Sequence, residues 1–374
     1  MKGTSRRRPT SATARTPEEV KAIYDACERY VNGHGPRRVA THLAQIPEDT
    51  EMDVYGTGGV VAELEGEMAR LLGKESALFV VSGTMAQQAT LRVHADRRMS
   101  RGIVFHPACH LDLYEERAYE RLHQLVGITP VHGLEPLTAA DLARVRGPVA
   151  ALVIELPQRE LGGTLPTWED LVAQVTWARD RGAAVHLDGA RLWEAAPYYE
   201  RSAGKSMADI AALFDTIYVS FYKGLGGIAG CCVVGDAAVI DEVAQWRIRH
   251  GGRLFGVWPL AASALSAWRE RGGNFARYGT HARAIAKELA TLDDLEILPS
   301  PPETNMMHWR IRGERQRILD RMIDVAREEK VWLFGAPYAV EGPRLQRFEF
   351  NVGDATLEVS PKEIRELLAR VTAN

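Results

Sequence analysis

A strand-like run of small and β-branched residues is followed by an acid and then by a guanidinium. The stretch is AAVHLDGAR, residues 183–191, in which Asp188 directly follows AAVHL and Arg191 comes three residues later. In open α/β sheets, ligands bind outside the carboxyl ends of the strands. Both side chains are therefore candidates for chemistry, and a reactive partner is expected at another strand end.

Lys223 is the strongest candidate for that partner. It follows the apolar run TIYVSFY and precedes the glycine-rich GLGGIAG, so we expect it at the end of a strand. A solvated surface lysine is the alternative interpretation. Burying a lysine amine without a function is costly, however, and this favours a catalytic role.

Polar residues follow three further apolar runs. Ser82, Gly83 and Thr84 follow ALFVV and open a helix, where backbone N–H groups can bind a phosphate. His110 follows GIVFHPAC, and Glu155 follows AALVI. Singly, these residues are explained as turns, helix caps or structural side chains.

As a set, these residue types match the requirements of pyridoxal 5′-phosphate. A lysine forms a Schiff base with this cofactor, and a carboxylate keeps its pyridine nitrogen protonated. An imidazole covers the ring, while backbone amides and a hydroxyl bind the phosphate. The sequence therefore predicts a pyridoxal-phosphate site at the strand ends.

The pattern of the chain predicts an α/β fold. Near-continuous apolar strands alternate with helices, as in helix 167–181, which indicates a mostly parallel sheet covered by helices on both faces. After residue 255, long helices precede LEILP, NMMHWRIRG, VWLFG and RFEFNVG, which indicate a smaller α+β domain. We predict an N-terminal tail and helix in 1–50, with the helix over 17–32, a large cofactor domain in 51–255 and a small domain in 256–374.

Composition narrows the class of function. A net charge of -3 gives no field that would attract nucleic acid, and no apolar run is long enough to span a membrane. The start of the chain is basic and Ser/Thr-rich without the apolar segment of a secretory signal. The cysteines show no metal-binding spacing; they are Cys27, Cys109, Cys231 and Cys232. We predict a cytoplasmic protein without disulfides or a metal.

Four collinear motifs resemble those of the threonine aldolase/β-eliminating lyase family of fold-type I pyridoxal-phosphate enzymes. They are DVYGTGG (53–59), GKESALFVVSGTMAQ (73–87), HLDGARLWEA (186–195) and YKGLGGIAGCCVVGD (222–236). The resemblance implies that Lys223 carries the cofactor and that Asp188 pairs with the pyridinium nitrogen.

The same resemblance assigns the surrounding positions. It implies that Gly83 and Thr84 bind the phosphate, that His110 stacks on the ring, and that Arg191 lies near the substrate carboxylate or the cofactor. It also implies a homodimer or homotetramer, because such sites usually lie at a dimer interface.

The substrate half of the site departs from the family pattern. The family usually has an Arg-Ser-Asp-Thr segment near its start and Glu-Asn-Thr-His-Asn before a glycine pair. This chain has no such first segment, and it has ELPQRELGG at 155–163, so Glu155 is retained while Gln158 replaces the histidine. Tyr222 stands where a serine usually precedes the lysine.

A free α-carboxylate requires a guanidinium, ideally with bidentate geometry. The family places this arginine just before a strand of the small domain, where PRLQRFEFNVGD offers Arg344 and Arg347. We predict Arg347, at the head of the alternating run RFEFNV, and expect Arg191 and Glu155 also to contact the substrate. Arg344 and Arg253 remain alternatives.

These observations predict a lyase that cleaves a β-hydroxy-α-amino acid to glycine and an aldehyde. Another pyridoxal-phosphate reaction on an amino acid is the main alternative: β-elimination, transaldol transfer or transamination. A non-catalytic paralogue is the third possibility, and the presence of Lys223 and Asp188 argues against it.

Overall fold

The computed structural model of the chain describes residues 15–36 and 38–372. Residues 1–14, the greater part of the predicted basic tail, lie outside these described residues. Within the described ranges, no helix has the length and apolar character needed to cross a bilayer.

The strands and helices of the described residues alternate along most of the chain. The strands are β1 (Arg29–Tyr30), β2 (Ser76–Val80), β3 (Gly102–Val104), β4 (Val126–Ile128), β5 (Ala151–Glu155), β6 (Ala184–Gly189), β7 (Thr216–Ser220), β8 (Cys231–Gly235), β9 (Leu295–Leu298), β10 (Met306–Arg312), β11 (Val331–Trp332), β12 (Ala339–Gly342) and β13 (Leu345–Asn351). The helices are α1 (Pro17–Asp25), α2 (Val39–Ala44), α3 (Gly59–Leu71), α4 (Gly83–Arg98), α5 (His110–Leu113), α6 (Ala118–His123), α7 (Ala139–Leu142), α8 (Trp168–Asp180), α9 (Leu192–Ala203), α10 (Met207–Ala212), α11 (Ala237–Arg249), α12 (Trp258–Arg271), α13 (Phe275–Leu289), α14 (Arg315–Glu329) and α15 (Pro361–Thr372).

The central sheet has seven strands in the order β2-β8-β7-β6-β5-β3-β4. Strands β3 to β7 pair in parallel, whereas β8 is antiparallel to both of its neighbours. The loop from β7 to β8 is short and contains no helix, which suits an antiparallel connection because a parallel one needs a longer crossover. The predicted fold class, a mostly parallel sheet flanked by helices with a smaller C-terminal part, is confirmed.

Burial on both faces explains why the central strands read as continuous apolar runs. Every residue of β6 and β7 is buried, including the polar ones. Since β5 and β6 are parallel and in register, Glu155 lies beside Asp188 at their carboxyl ends. The next strand of the sheet is β7, and Lys223 follows its end by three residues.

The second sheet is antiparallel and has the order β12-β13-β10-β9. The run VWLFG, which the sequence places in the smaller domain, contains β11, and β11 pairs in parallel with β1 and not with this sheet. The helix predicted over 17–32 ends at Asp25, because the chain then turns to form β1. This pairing, together with a bridge between Gly33 and Val352, brings the N-terminal segment to the C-terminal part. The two boundaries between the three predicted segments stay a prediction.

The position of Arg347 in its strand also differs from expectation. Arg347 is not the first residue of the strand. β13 begins at Leu345, because Leu345 already pairs with Gly342 of the antiparallel strand β12. Arg347 therefore lies inside the sheet, opposite Arg310 of β10, and is only 8% exposed.

Candidate active site

A cavity of about 350 Å³ lies where β6 and β7 end and α4 begins. The predicted cofactor residues line it together; they are Ser82, Gly83, Thr84, His110, Asp188 and Lys223. An adjoining cleft of about 510 Å³ shares His110 and Lys223 and also includes Arg191. The residues predicted to bind the cofactor, Arg191 apart, therefore line a single cavity, and Arg191 lines the cleft beside it.

The start of α4 can accept an anion. Ser82 is the N-cap of this 16-residue helix, yet its side chain makes no capping hydrogen bond, so it does not occupy the N–H groups of the first turn. The absence of a side chain at Gly83 lets the Tyr218 hydroxyl lie close to the start of the helix, because a Cβ at Gly83 would be 2.3 Å from that hydroxyl. The helix N-terminus is thus open towards the cavity.

Asp188 is suited to a cationic partner. It is the last residue but one of β6 and is 3% exposed, and its Oδ1 accepts a hydrogen bond of 3.1 Å from the Ala190 N–H. Burial raises the pKa of Asp188, while Lys223 and His110 act in the opposite direction. A positive charge brought into the cavity would relieve this unfavourable burial.

Lys223 is suited to act as a nucleophile. It lines both the cavity and the adjoining cleft. Burial lowers the pKa of Lys223, against the opposing effect of Asp188. The neutral amine, which attacks a carbonyl carbon, is therefore more accessible than in a solvated lysine.

His110 is oriented by a buried carboxylate. Its Nδ1 lies 2.9 Å from Oε1 of Glu115, whose other oxygen accepts a 2.7 Å hydrogen bond from Gln88. Nδ1 therefore carries a proton, and Nε2 is the ring nitrogen that Glu115 does not hold. The pair of His110 and Glu115, five residues apart, was not predicted from the sequence.

Glu155 lies beside Asp188 at the end of β5. It lines a small pocket with His110, Asp188 and Lys223, and its Oε1 accepts a 3.2 Å hydrogen bond from the Arg159 N–H. Burial, followed by the charge of Asp188, raises the pKa of Glu155 to about 7. Its predicted contact with substrate stays a prediction.

The departure at Gln158 has a structural counterpart. The Gln158 side chain lines a separate cavity of about 40 Å³, together with Cys109 and Glu155. Its neighbour Arg159 lines the cleft instead. The loop therefore presents a guanidinium to the site, where the family pattern suggests an imidazole one position earlier.

The predicted arginines lie in different environments. Arg191 lies in the cleft, with Nη1 3.0 Å from Oε1 of Glu194 and Nη2 3.5 Å from Oε1 of Glu349. Arg347 is not among the residues that line the cleft, and its Nη1 donates to the Glu160 carbonyl oxygen. Arg344 and Arg253 are both exposed. The carboxylate-binding role of Arg347 stays a prediction.

Several cleft residues were missed by the sequence analysis. Besides Arg159, they are Glu349, Asn351 and the segment 32–35. The alternation of β13 contained a signal for two of them, because residues 347, 349 and 351 share one face of the strand. The segment 32–35 gave no local signal, since the pairing of β1 with β11 places it.

The residues present fit pyridoxal phosphate. The start of α4 would hold the phosphate, Asp188 would face the ring nitrogen, and His110 would lie against the ring. Lys223 would bond to the cofactor aldehyde. When bound, the cofactor supplies a carbonyl that condenses with amines and a ring that withdraws electrons from the α-carbon.

The close approach at Gly83 yields a binding prediction. In Gly83→Ala the new Cβ displaces the buried Tyr218 side chain, and we expect cofactor affinity to fall about 10- to 100-fold, the scale of an overpacked site. Titration of the apoprotein with pyridoxal phosphate measures this. Gly66→Ala is the control: Gly66 is exposed within α3 with open space around it, so affinity should not change. Wild-type affinity in Gly83→Ala would contradict this account of the phosphate site.

Comparison with known proteins agrees with the site. The family model of beta-eliminating lyases matches residues 37–312. The aldolase vrtJ of Penicillium aethiopicum is 36% identical over 259 residues, which are 65% of this chain and 63% of that protein, just under two thirds of its length. Low-specificity L-threonine aldolase 1 of Arabidopsis thaliana is 28% identical over 287 residues, covering 72% of this chain and 76% of that protein.

A solved structure gives the same result over nearly the whole chain. It is a protein from Listeria monocytogenes provisionally described as an L-allo-threonine aldolase, with a TM-score of 0.88 and 36% identity. The match covers 95% of this chain and 98% of that one. The chain therefore belongs to the β-eliminating lyase family, and it is a pyridoxal-phosphate-dependent lyase of the threonine aldolase type with the type I fold.

Proposed function

We propose that this chain cleaves a β-hydroxy-α-amino acid between Cα and Cβ, giving glycine and an aldehyde. The observation that carries the proposal is the convergence of Lys223, Asp188 and His110 on one cavity that opens into a cleft containing Arg191. The similarity to proteins named as threonine aldolases supports it.

The groups around the cavity can each perform one part of this reaction. Arg191 binds the α-carboxylate of the substrate, and Asp188 stabilises positive charge on the cofactor ring. His110 Nε2 accepts the proton of the β-hydroxyl group, while Glu115 supports the resulting imidazolium through Nδ1. The oxygen then becomes the aldehyde carbonyl as the Cα–Cβ bond breaks, and a proton added at Cα completes glycine.

A second reaction class is supported by one observation. Gln158 replaces the family histidine and faces a separate cavity, so it offers no base to the cleft. A β-elimination, a transaldol transfer or a transamination uses the same cofactor contacts and does not require that histidine.

Product analysis separates these reactions. Supplied with cofactor and a panel of β-hydroxy amino acids, such as threonine, allo-threonine and phenylserine, the enzyme is expected to release glycine and the matching aldehyde in equal amounts. Chromatography measures glycine, and coupled reduction measures the aldehyde. Ammonia with a keto acid, and no glycine, would reject aldol cleavage and identify β-elimination.

We also propose that the enzyme acts as a homodimer or homotetramer. Phe255 is 70% exposed, and its ring makes an edge contact with the half-exposed ring of Tyr55 at 5.4 Å. Leu254 beside it is 46% exposed. Contiguous exposed apolar side chains of this kind are typical of protein interfaces. The cytoplasmic location inferred from the sequence stays a prediction.

A further inference from the structure

Arg159 occupies an unexpected position in the substrate half of the site. It begins the turn that follows β5, and its side chain lines the cleft beside Lys223 and His110. The side chain is 28% exposed, so it is anchored by the protein and still reachable from the cleft. Its guanidinium lies 4.7 Å from the centre of the Tyr338 ring, which restricts its orientation.

Arg159 and Arg191 already converge on a carboxylate. Nε of Arg159 lies 2.6 Å from Oε2 of Glu349, and Nη2 of Arg191 lies 3.5 Å from Oε1 of the same group. One carboxylate thus reaches both guanidiniums with a separate oxygen for each. The α-carboxylate of a bound amino acid could be held by the two guanidiniums in the same way.

The direction of the pKa shift of Glu349 indicates that this pair attracts an anion. Burial would raise the pKa of Glu349, yet Arg191 and Arg159 hold it below its ordinary value. Asn351 also donates a 3.1 Å hydrogen bond to Oε1 of Glu349, so this carboxylate has a partner other than the two arginines.

Arg347 is engaged elsewhere. Its Nη2 lies 3.7 Å from Glu160 and its Nε lies 3.5 Å from Glu341. It does not line the cleft. A substrate carboxylate would have to enter a buried cluster to reach it.

We propose that Arg159, and not Arg347, joins Arg191 in binding the α-carboxylate of the amino-acid substrate, and that Glu349 is the resident counter-ion that the substrate displaces. This inference rests on the proposed function for the identity of the ligand as an amino acid. It assigns binding of the carboxylate to Arg159, which follows β5, and not to Arg347 of β13, which was predicted from the sequence.

The test compares two amines that differ in the carboxylate. The holoenzyme is titrated with glycine and with aminoethanol, and the cofactor absorbance reports binding. Arg159→Met is expected to weaken glycine binding about 10- to 100-fold, the value of a hydrogen bond between charged groups, and to leave aminoethanol binding unchanged. Glu349→Gln removes the competing charge and is expected to tighten glycine binding.

Further variants make the result decisive. Arg159→Lys keeps the charge and loses the fork, so a smaller selective loss is expected; it replaces the methionine variant if that one fails to retain cofactor. Arg310→Met serves as the control. It removes a salt-bridged arginine from β10, which pairs with the strand that contains Glu349. Equal weakening of both amines in the Arg159 variants, an unchanged glycine affinity, or a selective loss in Arg347→Met would overturn the assignment.

The same titrations distinguish the two proposals. Glycine and aminoethanol bind without any carbon–carbon cleavage. If glycine binding depends on Arg159 but no β-hydroxy amino acid is cleaved, the proposed reaction fails and the carboxylate assignment stands. If cleavage occurs with wild-type efficiency in Arg159→Met, the assignment fails and the reaction stands.

Discussion

Replacement of Lys223 by alanine is expected to abolish nearly all turnover and to prevent the covalent bond to the cofactor. We expect kcat/KM to fall on the order of 10⁴-fold or more, as for other enzymes that lose the side chain forming their covalent bond. The expectation rests on the position of the amine in the cavity beside Asp188, and on the lowered pKa that burial gives it. No other lysine lines the cavity or the cleft among the described residues, so no second amine replaces it.

Borohydride reduction followed by peptide mass spectrometry measures the bond directly. Wild-type protein should carry the reduced cofactor on Lys223, and the alanine variant should carry none. Lys362→Ala is the matched control, because the Lys362 side chain is 78% exposed on α15. A Lys223→Ala protein that keeps its cofactor absorbance and a normal rate would show that another group holds the cofactor.

The cofactor half of the site could be predicted from the sequence because strand ends carry local signals. Each of Asp188, Lys223 and Ser82 directly follows or lies close to an apolar run, and parallel strands bring such residues to one edge of the sheet. The family motifs cover the same segments. Their convergence on one cavity therefore required only the order of the strands to be right.

The substrate half could not be predicted in the same way. Gln158 and Arg159 are neighbours in a loop without periodicity, so only the three-dimensional path decides which one faces the cleft. Glu349 and Arg347 share a strand face, yet only Glu349 lines the cleft, while Arg347 is engaged by Glu160. These choices depend on packing between distant segments, which local sequence patterns do not record.

The N-terminal segment illustrates the same limit. Residues 32–35 reach the cleft because β1 pairs with β11, about three hundred residues later in the chain. Nε2 of His34 then lies 2.7 Å from the carbonyl oxygen of Gly224, the residue after Lys223. A short polar stretch near the start of the chain gives no indication of such a contact.

Replacement of Asp188 by asparagine should separate cofactor binding from catalysis. The amide has nearly the same shape, and the phosphate contacts and Lys223 remain, so the cofactor should still bind. The negative charge that stabilises the protonated ring is lost, however, and this charge matters most when electron density develops on the ring in the transition state. We expect kcat to fall on the order of 10²-fold or more, with a smaller change in KM.

Asp188→Asn should lower kcat but stabilise the apoprotein, and the stability of the apoprotein is a readout independent of activity. Burial raises the pKa of Asp188 in the folded apoprotein, so the charged carboxylate opposes folding. For such a group, stability falls as the pH rises above the unfolded value of about 3.9, and the loss is complete above the folded pKa. At neutral pH, Asp188→Asn should therefore raise the Tm of the apoprotein while reducing the increase in Tm that the cofactor produces.

Asp25→Asn, at a surface position on α1, is the control for losing one negative charge. If Asp188→Asn keeps full kcat, or if the cofactor stabilises it as much as wild type, Asp188 does not pair with the ring nitrogen.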